Sequence, residues 1–97
     1  MVATIISVKI TFDPVKRASV LRHRGLDLAH AAEVFAGRHA TAADDRRDYG
    51  ELRFITAGLL AGRVVVIVWT PREDARRSIS MRYAHAKEAR RWRERLD

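Results

Sequence analysis

The N-terminal third of the chain carries one strand pattern followed by a helical one. Apolar side chains stand at every second position over residues 6–12, which predicts a half-buried strand that ends at Asp13. Asp13 can cap a helix with its carboxylate, and Pro14 suits the first helical position because no amide hydrogen bond is required there. We therefore expect a helix over Pro14–Arg24, ended by Gly25.

A second helix is predicted to begin within three residues of this end, because Asp27 is a further N-cap residue. Its apolar side chains recur at helical spacing and would pack inward: Leu28, Ala31, Ala32 and Phe35. Gly37 is expected to end this helix. A polar stretch over residues 38–50 follows, with one weak strand expected within residues 38–43.

The chain then returns to sheet patterns. The next strand is predicted over residues 52–57, where side chains alternate between two faces. One face carries Leu52, Phe54 and Thr56, and the other carries Arg53, Ile55 and Ala57. Gly58 and Gly62 are expected to bracket a hairpin connection. Residues 64–69 form an unbroken β-favouring run, which is typical of a central strand covered on both faces.

The last part of the chain predicts one more strand and a helix. Pro71 is expected to close the central strand, and residues 72–76 to form a charged turn. Residues 78–83 alternate between polar and apolar and predict the last strand, and from His85 onward apolar residues recur at helical spacing among arginines. The element order β-α-α-β-β-β-β-α predicts an α+β domain with an antiparallel sheet, two N-terminal helices and a C-terminal helix.

Length and composition describe one small globular domain over residues 1–97, with 47% hydrophobic and 32% charged side chains. The absence of cysteine excludes a disulfide framework and a cysteine nucleophile, and favours a cytoplasmic location. The most apolar run, residues 64–69, is too short to span a bilayer, and the apolar stripe of the last helix is thin for membrane binding. We expect no membrane partner.

The charge balance favours a polyanionic partner. Nineteen Lys and Arg stand against 12 Asp and Glu, which gives a net charge of +7. Residues 51–97 carry 11 basic and 6 acidic side chains, against 8 and 6 in residues 1–50. Sixteen of the cations are arginines, whose guanidinium groups can hold a phosphate through two donors at once. The C-terminal half is therefore the better candidate for binding phosphates.

A succession of short motifs resembles the BrnT toxin family in order and spacing. The motifs are Phe-Asp-Pro-Val-Lys at residues 12–16, Glu-Val-Phe at 33–35, Gly-Glu-Leu-Arg at 50–53, Gly-Arg at 62–63 leading into 64–70, and Arg-Ser-Ile-Ser-Met-Arg at 77–82 leading to Glu88. The resemblance covers nearly the whole chain from Ile10. Residues 1–8 are accordingly expected to be a variable N-terminal extension.

The resemblance implies a RelE-like ribonuclease fold in a type II toxin–antitoxin system. It implies translation arrest by cleavage of RNA, with mRNA, free or on the ribosome, as the expected substrate. It also implies neutralisation by a BrnA-type antitoxin encoded alongside, whose ribbon-helix-helix region would be the only route to operator DNA.

Two positions depart from the family pattern. The family usually carries Lys-His-Gly at the end of its first helix, whereas His23-Arg24-Gly25 stands here, with the histidine displaced by one residue. The family also tends to place a threonine three residues before the glutamate of the last helix, where this chain has His85 before Glu88. We expect this weaker cap to cost about 1 kcal/mol.

RNA cleavage without a metal ion requires a base for the 2′-hydroxyl, cations for the charge developing on the phosphate and a donor for the leaving oxygen. The predicted strands carry three arginines that a rigid backbone could aim at one phosphate: Arg53, Arg77 and Arg82. Ser80 would lie beside Arg82, and Glu51 precedes Arg53 by the same two-residue step. The alternative is that Glu51 and the strand arginines form cross-strand ion pairs.

Among the four histidines, His23 and His85 are the better candidates for proton transfer, with Glu51 as the remaining base. If none serves, catalysis would rest mainly on arginine positioning and on help from the ribosome. Further contacts to RNA are expected from cations and one exposed aromatic ring: Arg24, Arg63, Arg72 and Tyr49.

An acidic cluster competes with this view. This cluster consists of Asp44, Asp45, Asp48 and Glu51. Its carboxylates could bind Mg²⁺, although no fixed ligand spacing supports a metal site. We interpret the cluster as a solvated loop and expect neither metal nor cofactor. The leading hypothesis is a metal-independent endoribonuclease toxin, and the alternative is a non-catalytic nucleic-acid or partner-binding module.

Overall fold

The computed structural model describes residues 9–96 and confirms the α+β class. Its elements follow one another along the chain as β1 (Lys9–Thr11), α1 (Pro14–Arg24), a single 3₁₀ turn (Leu28–His30) continued by α2 (Ala31–Ala36), β2 (His39–Ala43), β3 (Phe54–Leu60), β4 (Arg63–Arg72), β5 (Ala75–Tyr83) and α3 (Ala86–Leu96). Part of the predicted first strand, residues 6–8, and the proposed extension over residues 1–8 lie outside the described residues. None of the helices within residues 9–96 is long and apolar enough to cross a membrane.

The five strands form one sheet in the order β1-β5-β4-β3-β2. Strands β2 to β5 are antiparallel to their neighbours, as predicted, whereas β1 pairs parallel with β5 and makes the sheet mixed. The central position predicted for residues 64–69 is confirmed, because β4 lies in the middle of the sheet. Strand β1 spans only three residues and pairs with residues 75–77, so no strand pairs with the outer edge of β5 beyond Arg77 in the described part of the chain.

The two faces of the sheet bury different helices. On one face, side chains of β4 and β5 such as Ile67 and Met81 pack with Leu28 and Val34 into the larger core, formed with α1 and α2. We call this the helix-pair face. On the opposite face a smaller apolar cluster of Ala57, Val64 and Val66 packs against Ala89 and Trp92 of α3. The apolar stripe of the last helix is thus used for packing on the sheet.

The predicted helix signals act as expected. Asp13 Oδ1 accepts a hydrogen bond from the amide of Val15 at 2.8 Å, and Gly25 ends α1 with a φ of 67°. Asp27 Oδ1 accepts from the amide of Ala29 at 2.9 Å. The second helix therefore starts where the sequence predicts, although its first turn is 3₁₀ rather than α.

The predicted limits of the third strand were wrong. Strand β3 begins at Phe54 and runs through Gly58, and the turn to β4 is made by Ala61 and Gly62, both with positive φ. Gly58 occupies a strand position for steric reasons, since an added Cβ would come within 2.5 Å of Val34 Cγ1. Leu52 precedes the strand and is 61% exposed, so it takes no part in the core.

Pro71 does not close the central strand, which continues to Arg72. The pairing with β3 ends at Trp69, so β4 has a partner only in β5 at this point. A proline is tolerated there because an amide at this position would point to the side on which β4 has no partner strand, so no hydrogen bond between strands is lost. The turn to β5 is consequently shorter than residues 72–76 and consists of Glu73 and Asp74.

Candidate active site

The face of the sheet opposite α1 and α2 carries the three predicted catalytic residues of β5. Arg82 pairs with Val66, and Ser80 pairs with Val68. Val66 belongs to the cluster that packs against α3, and alternate residues of a strand share a face. Arg82 and Ser80 therefore lie on the α3 side of the sheet.

A β-bulge brings Arg77 to the same side. The register between β4 and β5 shifts between Val68 and Trp69, so that Arg77 pairs with Thr70 rather than with a residue of the helix-pair face. Its neighbour Arg76 contacts the rings of Phe35 and Trp69 on the helix-pair face, with its guanidinium 4.4 and 4.8 Å from their centroids. Arg77 consequently points to the opposite side, with Ser80 and Arg82.

Arg53 reaches this side from the other flank of β4. Its carbonyl accepts from the amide of Asp44 at 2.9 Å, which continues the β2–β3 pairing one step beyond Phe54. Ile55 pairs with Val68 on the α3 side, and Arg53 lies two residues before it. Arg53 and Arg77 thus flank Thr70 from the two neighbouring strands, with backbones about 10 Å apart, twice the usual strand spacing.

We call this surface the arginine face, formed by Arg53, Arg77, Ser80 and Arg82. Ile55 and Val68 lie between these residues in the strand register and remain only half-buried. They are open because α3 packs on Ala57, Val64 and Val66, at the other end of the same side of the sheet. The three sequence-predicted arginines therefore lie on one side of the sheet, around two half-buried apolar side chains.

Arg82 is held by the first turn of α3. Its Nη1 and Nη2 donate to Glu88 Oε1 and Oε2 at 2.7 and 2.8 Å, a two-pronged ion pair. The hydrogen bonds from Arg82 lower the pKa of the Glu88 carboxyl to about 2, and the same contact raises the pKa of Arg82. Glu88 Oε1 also accepts from the amide of His85 at 3.3 Å, which caps α3.

Glu51 lies between two arginines at the opposite margin of the arginine face. Its Oε1 accepts from Arg72 Nη2 at 3.2 Å, and its Oε2 lies 3.5 Å from Arg53 Nε. The hydrogen bond from Arg72 is the main cause of a lowered Glu51 pKa, and Arg53 adds to it. Glu51 and Arg72 therefore border the site together, as an ion-paired cluster of the kind that the alternative interpretation expects.

Tyr49 stacks on cations in the loop before β3. The guanidinium carbons of Arg53 and Arg47 lie 4.1 and 5.1 Å from the centroid of its ring. Nearby, the buried carboxylate of Asp44 binds Arg46 at 2.7 Å, and this hydrogen bond lowers the pKa of Asp44 to about 2. The loop that carries Tyr49 is thus tied down beside Arg53.

Arg77 differs from its two companions. Within residues 9–96 it makes no side-chain hydrogen bond and no ion pair, although it is half-buried. Arg82 and Arg53 each approach a carboxylate. Arg77 is consequently the guanidinium of the arginine face that is most available to an external anion.

The two candidate histidines occupy different places. His85 is exposed and stands between β5 and α3, next to the Arg82–Glu88 pair. His23 is on α1, where Nδ1 lies 2.9 Å from the carbonyl of Ser19. It lines a cavity that also contains Ser80 and Arg24, at the outer edge of β5 rather than on the arginine face itself.

Arg63 is not brought to the site. Its guanidinium covers the ring of Tyr83 at 3.6 Å, and Tyr83 packs against the core of the helix-pair face. Arg24 also lies outside the arginine face and donates from Nη1 to the carbonyl of Met81 at 3.1 Å. Of the four residues proposed to contact RNA, Arg72 and Tyr49 border the arginine face and the other two do not.

The acidic cluster does not assemble into a metal site within the described range. No group of three or more metal-ligating side chains occurs there. Asp44 is bound to Arg46, Asp48 accepts from the amide of Gly50 at 2.9 Å, and Glu51 contacts Arg53 and Arg72. Three of the four carboxylates of this cluster therefore already have a local partner.

Two polar residues of the site were not singled out as site residues in the sequence. Thr70 is buried between Arg53 and Arg77 and donates from Oγ1 to the carbonyl of Leu52 at 2.6 Å. Glu88 holds Arg82. The spacing of Glu88 three residues after His85 is the capping-box spacing, but only the fold shows that its carboxylate also reaches β5.

Comparison with known families supports the resemblance seen in the motifs. A protein-family model described as "Ribonuclease toxin, BrnT, of type II toxin-antitoxin system" matches residues 12–88. Comparison with curated proteins gives no significant match. The matched region includes β3, β4, β5 and every residue of the arginine face, and it spans most of the chain. The chain therefore belongs to the BrnT family of ribonuclease toxins of type II toxin–antitoxin systems.

Proposed function

We propose that this ribonuclease toxin cleaves RNA without a metal ion, on the arginine face, and that it arrests translation by cutting mRNA in the cytoplasm. The observation that carries the proposal is that Arg53, Arg77 and Arg82 lie on the same side of the sheet. Guanidinium groups fixed on neighbouring strands can stabilise the charge that develops on a phosphate without reorganising.

Within this proposal each residue has a separate task. Arg77 binds the scissile phosphate, since its guanidinium has no partner among the described residues. Arg53 and Arg82 flank the phosphate, and Ser80 donates a hydrogen bond to it. The 2′-oxygen attacks the phosphorus while its proton passes to His85 or Glu51, which lie at opposite margins of the arginine face, and the 5′-oxygen that leaves takes a proton from water.

We further propose that a BrnA-type ribbon-helix-helix antitoxin, encoded alongside, neutralises the toxin by covering the arginine face. An acidic segment would find docking points in the arginines there. Operator DNA would be reached only through this antitoxin. Reversing the charge of Arg82 should loosen the complex, and failure to do so would mean that the antitoxin binds elsewhere.

Expression of the full chain alone tests the catalytic proposal. We expect growth to stop, and Arg77→Ala or Arg82→Ala to restore it while circular dichroism shows an intact fold. Arg22→Ala, which removes an exposed arginine of α1, is the matched control and should leave toxicity unchanged. RNA cleavage by the purified chain should persist in EDTA. A harmless wild type, or cleavage that EDTA abolishes, would contradict the proposal.

A second candidate is a non-catalytic nucleic-acid-binding module. The observation in its favour is that both terminal nitrogens of Arg82 donate to Glu88, as in an ion pair with a purely structural role. This candidate predicts RNA binding that weakens steeply with added salt and yields no cleavage products, with or without EDTA.

A further inference from the structure

We infer that the cavity between α1 and the outer edge of β5 is a second phosphate-binding subsite, which holds an RNA nucleotide next to the one that is cut. The inference rests on the proposed function, because it assumes that the arginine face binds the scissile phosphate. It adds a path for the RNA strand and two side chains, Lys16 and Ser19, that were not among the predicted site residues.

The fold leaves this edge of the sheet open. Strand β1 pairs with β5 only over residues 75–77, and from there on α1 lies beside β5. A cavity of about 290 Å³ remains between them. This volume is close to the lower limit of small-molecule sites and suits a phosphate with part of its nucleoside.

The lining of the cavity fits an anion. Lys16, Ser19 and His23 follow one face of α1 at helical spacing, with Arg24 next to His23. Across from them lie Ile79 and Ser80 of β5. None of the seven lining residues is acidic, although the chain carries 12 carboxylate side chains, so a phosphate would meet donors and no opposing charge.

The contacts of Arg24 leave donors for a ligand in the cavity, and those of His23 fix its tautomer. Arg24 uses Nη1 for the carbonyl of Met81, which anchors the side chain at the edge of β5 and leaves its other donors for a ligand. His23 Nδ1 lies 2.9 Å from the carbonyl of Ser19. A carbonyl can only accept, so Nδ1 carries the proton in this contact.

Ser80 connects the cavity with the arginine face. It lines the cavity, and its register partner Val68 forms the floor of the arginine face. Arg82 lies two residues further along the same strand, about 7 Å away at the usual rise per residue. Ser80 thus stands at the border of the cavity and the arginine face, so an RNA strand whose scissile phosphate contacts Ser80 and Arg77 can place a neighbouring nucleotide in the cavity.

The test compares cleavage of a single-stranded RNA oligonucleotide with cleavage of the dinucleotide that spans its cut site. The cavity variant is Lys16→Gln/Arg24→Gln. The matched control, Arg22→Gln/Arg90→Gln, removes the same charge from exposed arginines that line no part of the cavity or the arginine face. Thermal unfolding of each variant checks that the fold is retained.

We expect the cavity variant to lose about tenfold in kcat/KM on the oligonucleotide, mainly through KM, and several times less on the dinucleotide, which cannot reach the subsite. The control should match the wild type on both substrates. Equal losses on the two substrates, or a control as impaired as the cavity variant, would overturn the inference.

Binding separates failure of the subsite from failure of the proposed function. If the wild type cleaves neither substrate, the proposed function fails, and the affinity for the intact oligonucleotide decides on the subsite. The cavity variant should then bind more weakly than the control, with a slope of log K against log salt shallower by about 0.7, the value for one single-strand phosphate contact. Indistinguishable affinities would overturn the subsite.

Discussion

At the scale of single residues, the arginines of the arginine face are not equivalent. Arg82 is fixed by two short hydrogen bonds to Glu88, and Arg53 lies between Glu51 and the ring of Tyr49. An RNA phosphate must compete with these carboxylates before it can use either guanidinium fully. Arg77 has no such competitor within residues 9–96, so it binds phosphate at the lowest cost.

The Arg82–Glu88 pair predicts a pH-dependent contribution to stability. The folded-state pKa of Glu88 is about 2, below its ordinary value of 4.5, so its contribution is complete above the ordinary pKa and is lost as the pH falls through the folded value. We expect Glu88→Gln to lower the free energy of unfolding at pH 7 by about 1 kcal/mol, because the pair is partly exposed. Urea unfolding should show this difference shrinking as the pH falls from about 4.5 to about 2.

Glu94→Gln is the control for this measurement. Glu94 also lies on α3 but forms no ion pair with any described residue. Its replacement should change stability by a few tenths of a kcal/mol at most. A difference between Glu88→Gln and wild type that stays constant over the whole pH range would show that the pair contributes through packing rather than through charge.

The residue scale also shows what the sequence leaves open at the site. The two-residue spacing of Ser80 and Arg82 was enough to predict that they share a face. Arg77 stands at an odd distance from both, so regular alternation would send it to the helix-pair face. Only the bulge beside Val68 reverses this, and its position depends on how two strands pair, which local sequence does not encode.

At the scale of elements, α2 packs so closely against β3 that only glycine fits at position 58 of the strand. A Cβ on Gly58 would lie 2.5 Å from Val34 Cγ1, 3.2 Å from the carbonyl oxygen of Arg38 and 3.3 Å from His39 Cβ. Val34 is fully buried and the Arg38 carbonyl belongs to the backbone, so neither can withdraw freely. Gly58 therefore sets the distance between the helix pair and the sheet.

Gly58→Ala tests this packing. We expect the free energy of unfolding to fall by about 1–3 kcal/mol, the usual cost of overpacking a well-filled core. The second substitution Val34→Ala should make Gly58→Ala much less costly, which a double-mutant cycle by urea unfolding would measure. Gly37→Ala should be close to neutral, because outside the adjacent residues its Cβ would have the Glu33 carbonyl oxygen, 3.9 Å away, as its nearest neighbour. Additive losses in the cycle would contradict the contact.

Element identity could be predicted well here because caps and alternation are local signals. Asp13 and Asp27 cap their helices as expected, and β4 is the central strand. The predictions from sequence were wrong where tertiary contacts determine the position or pairing of a strand. Gly58 resembles a turn residue in the sequence but is needed for close approach to Val34. The parallel pairing of β1 with β5 joins residues far apart in the sequence, and no local pattern predicts it.

At the scale of the whole molecule, α3 divides one side of the sheet into a covered and an open half. Its apolar residues bury Ala57, Val64 and Val66, while Ile55 and Val68 stay accessible among the arginines. The net charge of +7 surrounds this opening with a positive field that attracts any polyanion. RNA and an acidic antitoxin segment would therefore bind the same surface, and binding of one would exclude the other.

Competition between the two partners is the prediction that follows. We expect the antitoxin encoded alongside to displace a fluorescent, non-cleavable RNA from the toxin in step with formation of the toxin–antitoxin complex, measured by fluorescence anisotropy. Arg77→Glu should weaken RNA and antitoxin together, because a charge reversal in the middle of the arginine face acts on both. Arg22→Glu, on the exposed side of α1, should affect each far less. A ternary complex that keeps its RNA would show instead that the antitoxin acts from another surface and leaves the arginine face open.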